Sequence, residues 1–169
     1  MALEQISNEA TRVWADKEAA TLVMEREFGA PLDLVWKAWT EPERIEQWWG
    51  PRDWKTKNTR MDVRPGGTWH YCMTGPGGME SWGHATYREI ADKQRIVYED
   101  AFSDASGTKN TDMPVMVITT EFSERDGKTT VRSSTQFASP EALQSVLDMG
   151  VVAGASQTWD RLAEFVERK

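Results

Sequence analysis

Residues 40 to 51 read Thr-Glu-Pro-Glu-Arg-Ile-Glu-Gln-Trp-Trp-Gly-Pro, and this segment is the most informative about the fold. Proline near its start and Gly50-Pro51 at its end predict a short helix that begins near Pro42. Successive helical positions point about 100° apart, so Trp48 and Trp49 bury in the same surface only if the chain leaves the helix there. We expect one indole to fill the core and the other to face a cleft, with ordinary packing of both as the alternative.

The sequence on either side of this segment predicts strands and further helical structure. Thr21–Phe28 predicts a first strand, and two short helices follow it. From residue 54 to residue 138, short runs are divided by turn signals such as Pro65-Gly66-Gly67, which is typical of an antiparallel meander. The six runs are Trp54–Val63, Thr68–Met73, Ser81–Ile90, Arg95–Phe102, Val115–Phe122 and Thr129–Phe137.

The last predicted element is one long amphipathic helix from Pro140 to about Val166, with Gly150 and Gly154 as weak points. An antiparallel sheet of seven strands must bury one face, and this helix is the only long element that can cover it. The chain is therefore predicted to be an α+β protein whose curved sheet grips the final helix and leaves a space between them. We expect residues 20–169 to form this domain and residues 1–19 to be an N-terminal extension.

Composition and charge argue against several classes of protein. The formal charge of −7, from 20 basic and 27 acidic residues, opposes a surface that binds phosphates, so nucleic acid is not expected as a partner. The single cysteine suits a reducing compartment, and no apolar stretch is long enough to span a bilayer. We therefore expect a cytoplasmic protein without membrane insertion. Nine Trp and eight Met suit an adaptable apolar pocket.

The order of the elements and several short motifs together resemble the START/Bet v (SRPBCC) superfamily, within it the branch named for the activator of heat shock protein 90 ATPase. The motifs cover residues 21 to 167 in the expected order. They are Arg26-Glu-Phe-Gly-Ala-Pro31, Val35-Trp36 with Trp39, Trp48-Trp-Gly-Pro51, Arg64-Pro-Gly-Gly-Thr-Trp69, Met73-Thr-Gly-Pro-Gly-Gly78, Tyr87-Arg-Glu-Ile90, Arg95-Ile-Val-Tyr98 and Trp159-Asp-Arg-Leu162. The resemblance implies a helix-grip fold with a hydrophobic cavity. Gly154-Ala155 departs from the pattern, because many relatives have Gly followed by Trp, so the cavity is expected to be wider here.

The predicted binding residues lie mainly on the inner face of the meander. If the loop between the second and third of its strands is the four residues 75–78, then Tyr71 faces Trp82 and Trp69 faces His84. An error of one residue in the length of this loop, or a bulge, would send Trp82 and His84 to the opposite face. The residues expected to bind the ligand are Trp49, Trp69, Tyr71, Met73, Trp82, His84, Tyr98, Met116, Ile118, Phe137 and Met149.

The sequence shows neither a metal site nor a catalytic constellation. By the same count His70 and His84 lie on opposite faces, and one cysteine with two separated histidines does not supply a zinc site. Cys72 has no feature that would lower the pKa of its thiol, and the Gly-x-Ser-x-Gly pattern is absent. No catalytic residue, metal or cofactor is therefore predicted.

These observations favour a binding domain that encloses a small apolar or aromatic ligand between the sheet and the last helix. One alternative is an enzyme of the cyclase or hydrolase type that uses His84 with Tyr71 or Tyr98, and it requires His84 inside the cavity. Another is an interaction module that activates a chaperone ATPase, which would need an exposed apolar patch. An acidic, Trp-rich surface is also compatible with a homodimer.

Overall fold

The computed structural model describes residues 3–110 and 115–167. Its strands are β1 (Glu4–Asn8), β2 (Arg12–Asp16), β3 (Thr21–Phe28), β4 (Lys55–Met61), β5 (Thr68–Thr74), β6 (Glu80–Ala91), β7 (Arg95–Ser103), β8 (Met116–Arg125) and β9 (Lys128–Gln136). Its helices are α1 (Leu32–Thr40), α2 (Pro42–Ile45), α3 (Pro140–Asp148) and α4 (Val151–Val166), with a single turn of 3-10 helix at Pro76–Gly78. The six meander strands lie within three residues of their predicted bounds.

All strands of the described residues belong to one antiparallel sheet in the order β1-β2-β3-β9-β8-β7-β6-β5-β4. The prediction of seven strands was wrong, because the N-terminal segment adds β1 and β2 as a hairpin on β3. Val13 and Ala15 of β2 are fully buried, so this hairpin joins the core as well as the sheet. Its alternating apolar positions are too few, and each alternating segment is too short, to have indicated a strand without other information.

The predicted single C-terminal helix is also wrong, because the chain forms α3 and α4 with a break at Gly150. This glycine has a φ of 84°, a left-handed conformation that other residues adopt only with strain. Ser139 begins α3 as its N-cap, where the side-chain oxygen accepts a hydrogen bond from the backbone N–H of Ala142 at 3.1 Å.

Helix α4 holds its position against the sheet through apolar packing and one ion pair. Its buried face includes Trp159, whose indole lies 6.0 Å from the ring of Phe28 in β3. Beside this contact, Arg26 of β3 donates to the carboxylate of Asp160 at 2.6 Å. The α+β class, the curved antiparallel sheet and the C-terminal helix that it grips are thereby confirmed.

Candidate functional site

A cavity of about 390 Å³ lies between the inner face of the sheet and the C-terminal helices. Cavities of this size hold small molecules in many proteins. Aromatic rings and methionine side chains make up much of the wall, and Ala155 and Trp159 contribute from α4. The wall is therefore apolar, and the flexible thioethers allow it to adapt to different shapes.

Nine of the eleven residues predicted to bind a ligand border this cavity, and Trp69 and His84 do not. The nine are Trp49, Tyr71, Met73, Trp82, Tyr98, Met116, Ile118, Phe137 and Met149. Trp82 is among them although its indole lies beside His70, on the outer face of the sheet.

Trp69 lies on the inner face of β5 but behind the cavity wall. Its ring centroid is 4.7 Å from that of Trp49 and 4.4 Å from that of Tyr71, so these two rings separate it from the open space. Its indole N–H donates to Oδ1 of Asn58 at 2.8 Å, which satisfies the polar end of a side chain that is only 2% exposed. Trp69 therefore supports the cavity wall and does not form its surface.

The predicted register of the β5–β6 hairpin is wrong by one residue. Thr74 pairs with Glu80 and not with Met79, because Pro76–Gly78 forms a turn of 3-10 helix and lengthens the loop to residues 75–79. The backbone N–H of Gly75 donates to the carbonyl of Met79 at 2.7 Å and closes this loop. One extra loop residue moves every β6 side chain to the opposite face.

With this register, His70 and His84 form a cross-strand pair on the outer face of the sheet, where the prediction had separated them. Their rings lie 6.0 Å apart, and the indole of Trp82 lies 5.1 Å from His70 on the same face. The loop after β7 covers both histidines. Nδ1 of His84 is 2.6 Å from the carbonyl oxygen of Gly107, so His84 contacts the loop and not the cavity. His84 is therefore not placed in the cavity as the residue that the enzyme alternative assigned to it.

Gly83 replaces the aromatic residue that was expected opposite Tyr71. A Cβ atom at Gly83 would lie 2.3 Å from Cζ of Tyr71, a distance at which atoms overlap. The absence of a side chain therefore lets the Tyr71 ring lie flat across β6. Turn chemistry does not predict this glycine, which lies inside a strand and not in a loop.

The hydroxyl group of Tyr71 contacts Asp100 of β7. Asp100 was not among the residues predicted to bind the ligand. The hydroxyl donates to Oδ2 of Asp100 at 3.0 Å, and Oδ1 lies at 3.3 Å. Burial in these surroundings raises the pKa of Asp100 to about 6, although the hydrogen bond from Tyr71 opposes part of that shift. Burial and the neighbouring Asp100 also raise the pKa of Tyr71, so its hydroxyl remains protonated and acts as the donor. The alternation of Tyr98 with Asp100 could have indicated that both face the cavity.

The two adjacent tryptophans divide as expected between the core and the cavity. Trp48 is fully buried, and its indole N–H donates to the carbonyl oxygen of Ala38 at 2.9 Å, which ties it to α1. Trp49 is half-buried and borders the cavity. The rings of Trp39, Trp48, Trp49, Trp69 and Tyr71 form a continuous aromatic cluster, with neighbouring centroids 4.4 to 6.1 Å apart.

Gly50 ends the aromatic segment with a φ of 101°, and a Cβ atom there would lie 3.1 Å from the sulfur of Met73. Both facts favour glycine at this turn. The guanidinium of Arg161 in α4 binds the carbonyl oxygens of the same segment, at 2.8 Å for Gly50, 3.2 Å for Pro51 and 3.1 Å for Trp54. Two motifs that are distant in sequence thus meet at one edge of the cavity.

Within residues 3–110 and 115–167, no group of three or more His, Cys, Asp or Glu side chains is placed to hold a metal ion. Cys72 is free and buried on the outer face, and burial raises the pKa of its thiol. In the same part of the chain, no helix is long and apolar enough to cross a membrane.

Comparison with known proteins places these features in a family. Residues 29–167 match the family described as "Activator of Hsp90 ATPase homolog 1-like protein". The chain belongs to this family. The resemblance inferred from the sequence motifs is thereby confirmed, and the fold is the helix-grip fold of a superfamily of ligand-binding domains.

Solved structures similar to this chain come from several bacteria. A crystal structure of a Mycobacterium smegmatis protein is 35% identical, covers 91% of this chain and 94% of that chain, and has a TM-score of 0.84. A solution structure from Staphylococcus epidermidis is 34% identical, with 90% and 92% covered and a TM-score of 0.80. A solution structure from Arthrobacter aurescens is 26% identical, with 94% and 92% covered and a TM-score of 0.89. A search of curated proteins finds no match.

Proposed function

We propose that the protein binds a small apolar or aromatic molecule in the cavity between the sheet and α4. The observation that carries this proposal is the open volume of about 390 Å³ behind a wall of aromatic and methionine side chains. Protein interiors are usually packed to the density of organic crystals, so a large apolar space within a core is a candidate binding site. The chaperone-activating module and the homodimer stay predictions, and the cavity supports neither.

The N-terminal half of α4 borders the cavity with two residues of little or no side-chain volume, Gly154 and Ala155, which leaves space there. Residue 155 is the position at which the family resemblance implies a tryptophan in many relatives. A Cβ atom at Gly154 would lie 3.5 Å from Pro51, which is ordinary contact. An indole at residue 155 would therefore project into the open space.

A pair of tryptophan substitutions on α4 tests the proposal. N-phenyl-1-naphthylamine, a neutral dye that fluoresces brightly in apolar surroundings, serves as the probe. We expect it to bind the wild-type protein with saturable fluorescence, and Ala155→Trp to abolish that binding by filling the cavity. Ala153→Trp is the matched control, because Ala153 is exposed on the opposite side of the same helix and its replacement leaves the cavity open.

If the dye does not bind, or if Ala155→Trp and Ala153→Trp bind it as well as the wild type does, the cavity is not a ligand site. Native mass spectrometry of the protein purified from its own host gives a second measurement. We expect a retained small molecule in the wild type and its loss in Ala155→Trp.

A further inference from the structure

Asp100 is the only charged side chain among the described residues that line the cavity. It lies on the inner face of β7 and is 7% exposed, in a wall otherwise made of aromatic, aliphatic, thioether and small polar groups. A carboxylate in such surroundings loses most of its hydration, and its removal from water is costly unless another group compensates the charge. The groups around Asp100 therefore decide how far its charge is compensated.

The described groups around Asp100 supply hydrogen bonds but no direct counter-ion. Tyr71 donates its hydroxyl to the carboxylate, and the backbone N–H of Ala101 also favours the ionised form. Within residues 3–110 and 115–167, no Lys or Arg forms an ion pair with Asp100. Lys109 acts on it only through its longer-range field, and the Nζ atom of Lys109 lies 3.4 Å from the hydroxyl oxygen of Thr86. One carboxylate thus enters an apolar cavity without a cation beside it.

We propose that the ligand carries a protonated amine on an apolar or aromatic body, and that Asp100 is the residue that selects it. This inference rests on the proposed function, because it assumes that the cavity is the binding site. An ammonium group would neutralise the buried charge and donate to carboxylate oxygens that Tyr71 leaves available. A carboxylate or phosphate on the ligand would instead be repelled, and a hydrocarbon would leave the charge uncompensated. The net charge of −7 also favours the approach of cations.

The proposal predicts a pH dependence whose sign follows from the groups that face Asp100. Burial raises its pKa to about 6, so the carboxylate is ionised above that pH and neutral below it. Tyr87 and Tyr98 also face it, and burial raises the pKa of each, so both remain neutral in this range. Lys109 is the one cation whose longer-range field is seen to act on Asp100 among the described residues. Acidification from pH 7.5 to pH 5 therefore removes the charge that binds an amine, while a simple amine remains protonated.

Three naphthalene probes that differ in one substituent test the selection. They are 1-naphthylmethylamine, which is protonated at pH 7.5, 1-naphthylmethanol, which is a neutral donor, and 1-methylnaphthalene, which has no donor. Each probe is titrated as a competitor of N-phenyl-1-naphthylamine. We expect the amine to bind the wild-type protein at least tenfold more tightly than the hydrocarbon, and more tightly than the alcohol.

Two variants separate the role of Asp100 from that of net charge. Asp100→Asn is expected to weaken the amine about tenfold or more and to change the affinity for the hydrocarbon by less than twofold. Glu99→Gln is the matched control, because it removes one negative charge from the preceding residue of β7, whose side chain pairs with Arg88 on the outer face. It should leave both affinities unchanged. The wild-type protein alone gives an independent measurement, since a carboxylate of pKa about 6 is roughly one-tenth ionised at pH 5 and the amine should weaken about tenfold.

The possible failures are distinguishable. If the hydrocarbon displaces the dye but the amine binds no more tightly than the hydrocarbon, the selection by Asp100 is wrong and the proposed function stands. The same conclusion follows if the affinity for the amine does not fall between pH 7.5 and pH 5. An alcohol that binds as tightly as the amine also overturns the cationic class. If neither the dye nor any competitor binds, both proposals are wrong. Should Asp100→Asn fail to fold, the pH titration of the wild type still decides between these outcomes.

Discussion

The guanidinium of Arg161 donates to the carbonyl oxygen of Gly50 at 2.8 Å, which joins α4 to the turn that follows Trp49. The same group also contacts the carbonyl oxygens of Pro51 and Trp54. This side chain therefore helps to hold the aromatic segment against the helix that covers the cavity, together with the contacts of Arg52 with Gln157 and Glu164.

Removal of this clamp should destabilise the protein markedly. Arg161→Met preserves much of the apolar stem but leaves several carbonyl oxygens without a donor, so we expect a loss of about 2–3 kcal/mol in the free energy of unfolding. Urea denaturation followed by circular dichroism measures it. Arg52→Met is the control, because Arg52 forms an exposed ion pair with Glu164 and should change the midpoint little. Equal losses of unfolding free energy in the two variants would show that the carbonyl contacts of Arg161 stabilise the protein no more than an exposed ion pair does.

The packing of Tyr71 on Gly83 predicts a strong effect from a small substitution. Gly83→Ala places a Cβ atom about where the Tyr71 ring lies, and such overpacking costs about 1–3 kcal/mol in the free energy of unfolding. The same change should weaken binding of the amine probe, because the displaced ring can no longer hold Asp100.

A double-mutant cycle isolates this contact. In a Tyr71→Ala background there is no ring to displace, so Gly83→Ala should cost much less. A penalty of the same size in both backgrounds would mean that the glycine is required for another reason, such as the backbone of β6 itself.

The raised pKa of Asp100 predicts that its ionisation destabilises the fold. A carboxyl group whose folded pKa lies above its unfolded value contributes stability that is present at low pH and lost as the pH rises through about 6. Asp100→Asn removes this penalty, so the variant should gain on the wild type by up to about 3 kcal/mol between pH 4 and pH 8. Thermal or urea unfolding at the two pH values measures the difference. A gap that is constant with pH would contradict the assignment.

The two glycines at the start of α4 should respond to alanine in opposite directions. Gly154 has a helical conformation, and its Cβ atom would meet Pro51 at an ordinary distance, so Gly154→Ala should stabilise the protein by about 0.5–1 kcal/mol. Gly150 has a φ of 84°, so Gly150→Ala should destabilise it by about 1 kcal/mol. Differential scanning calorimetry compares the two, and a loss in both would show that the space beside Gly154 is tighter than the structure indicates.

The meander was predictable because each of its turns is marked by glycine or by a polar pair, and strand length follows once the turns are placed. The N-terminal hairpin was not, since β1 and β2 offer only short alternation. Their place in the sheet depends on pairing with β3 and on the burial of Val13 and Ala15, which the short pattern does not report. The break at Gly150 was foreseen only as a weak point, because glycine is compatible both with a helix and with its end.

The residues of the candidate site were predictable only where the register between strands was predicted correctly or was not needed. Tyr71, Met73 and Tyr98 follow from alternation within one strand, and all three border the cavity. His84 depended on the length of the β5–β6 loop, where one additional residue reversed its face. Asp100 was missed because an acidic residue in a strand is ordinarily exposed, and only its position two residues after Tyr98 indicated otherwise.

The aromatic cluster around Trp49 gives the protein a built-in optical reporter. Indole rings with centroids 4.7 to 6.1 Å apart exchange excitation energy before they emit. Energy absorbed by Trp39, Trp48 or Trp69 can therefore be transferred to Trp49 at the cavity wall. A molecule that enters the cavity would meet Trp49 and alter the emission of the whole group. Occupancy could then be followed by intrinsic fluorescence in an unlabelled protein, even in a crude mixture of candidate compounds.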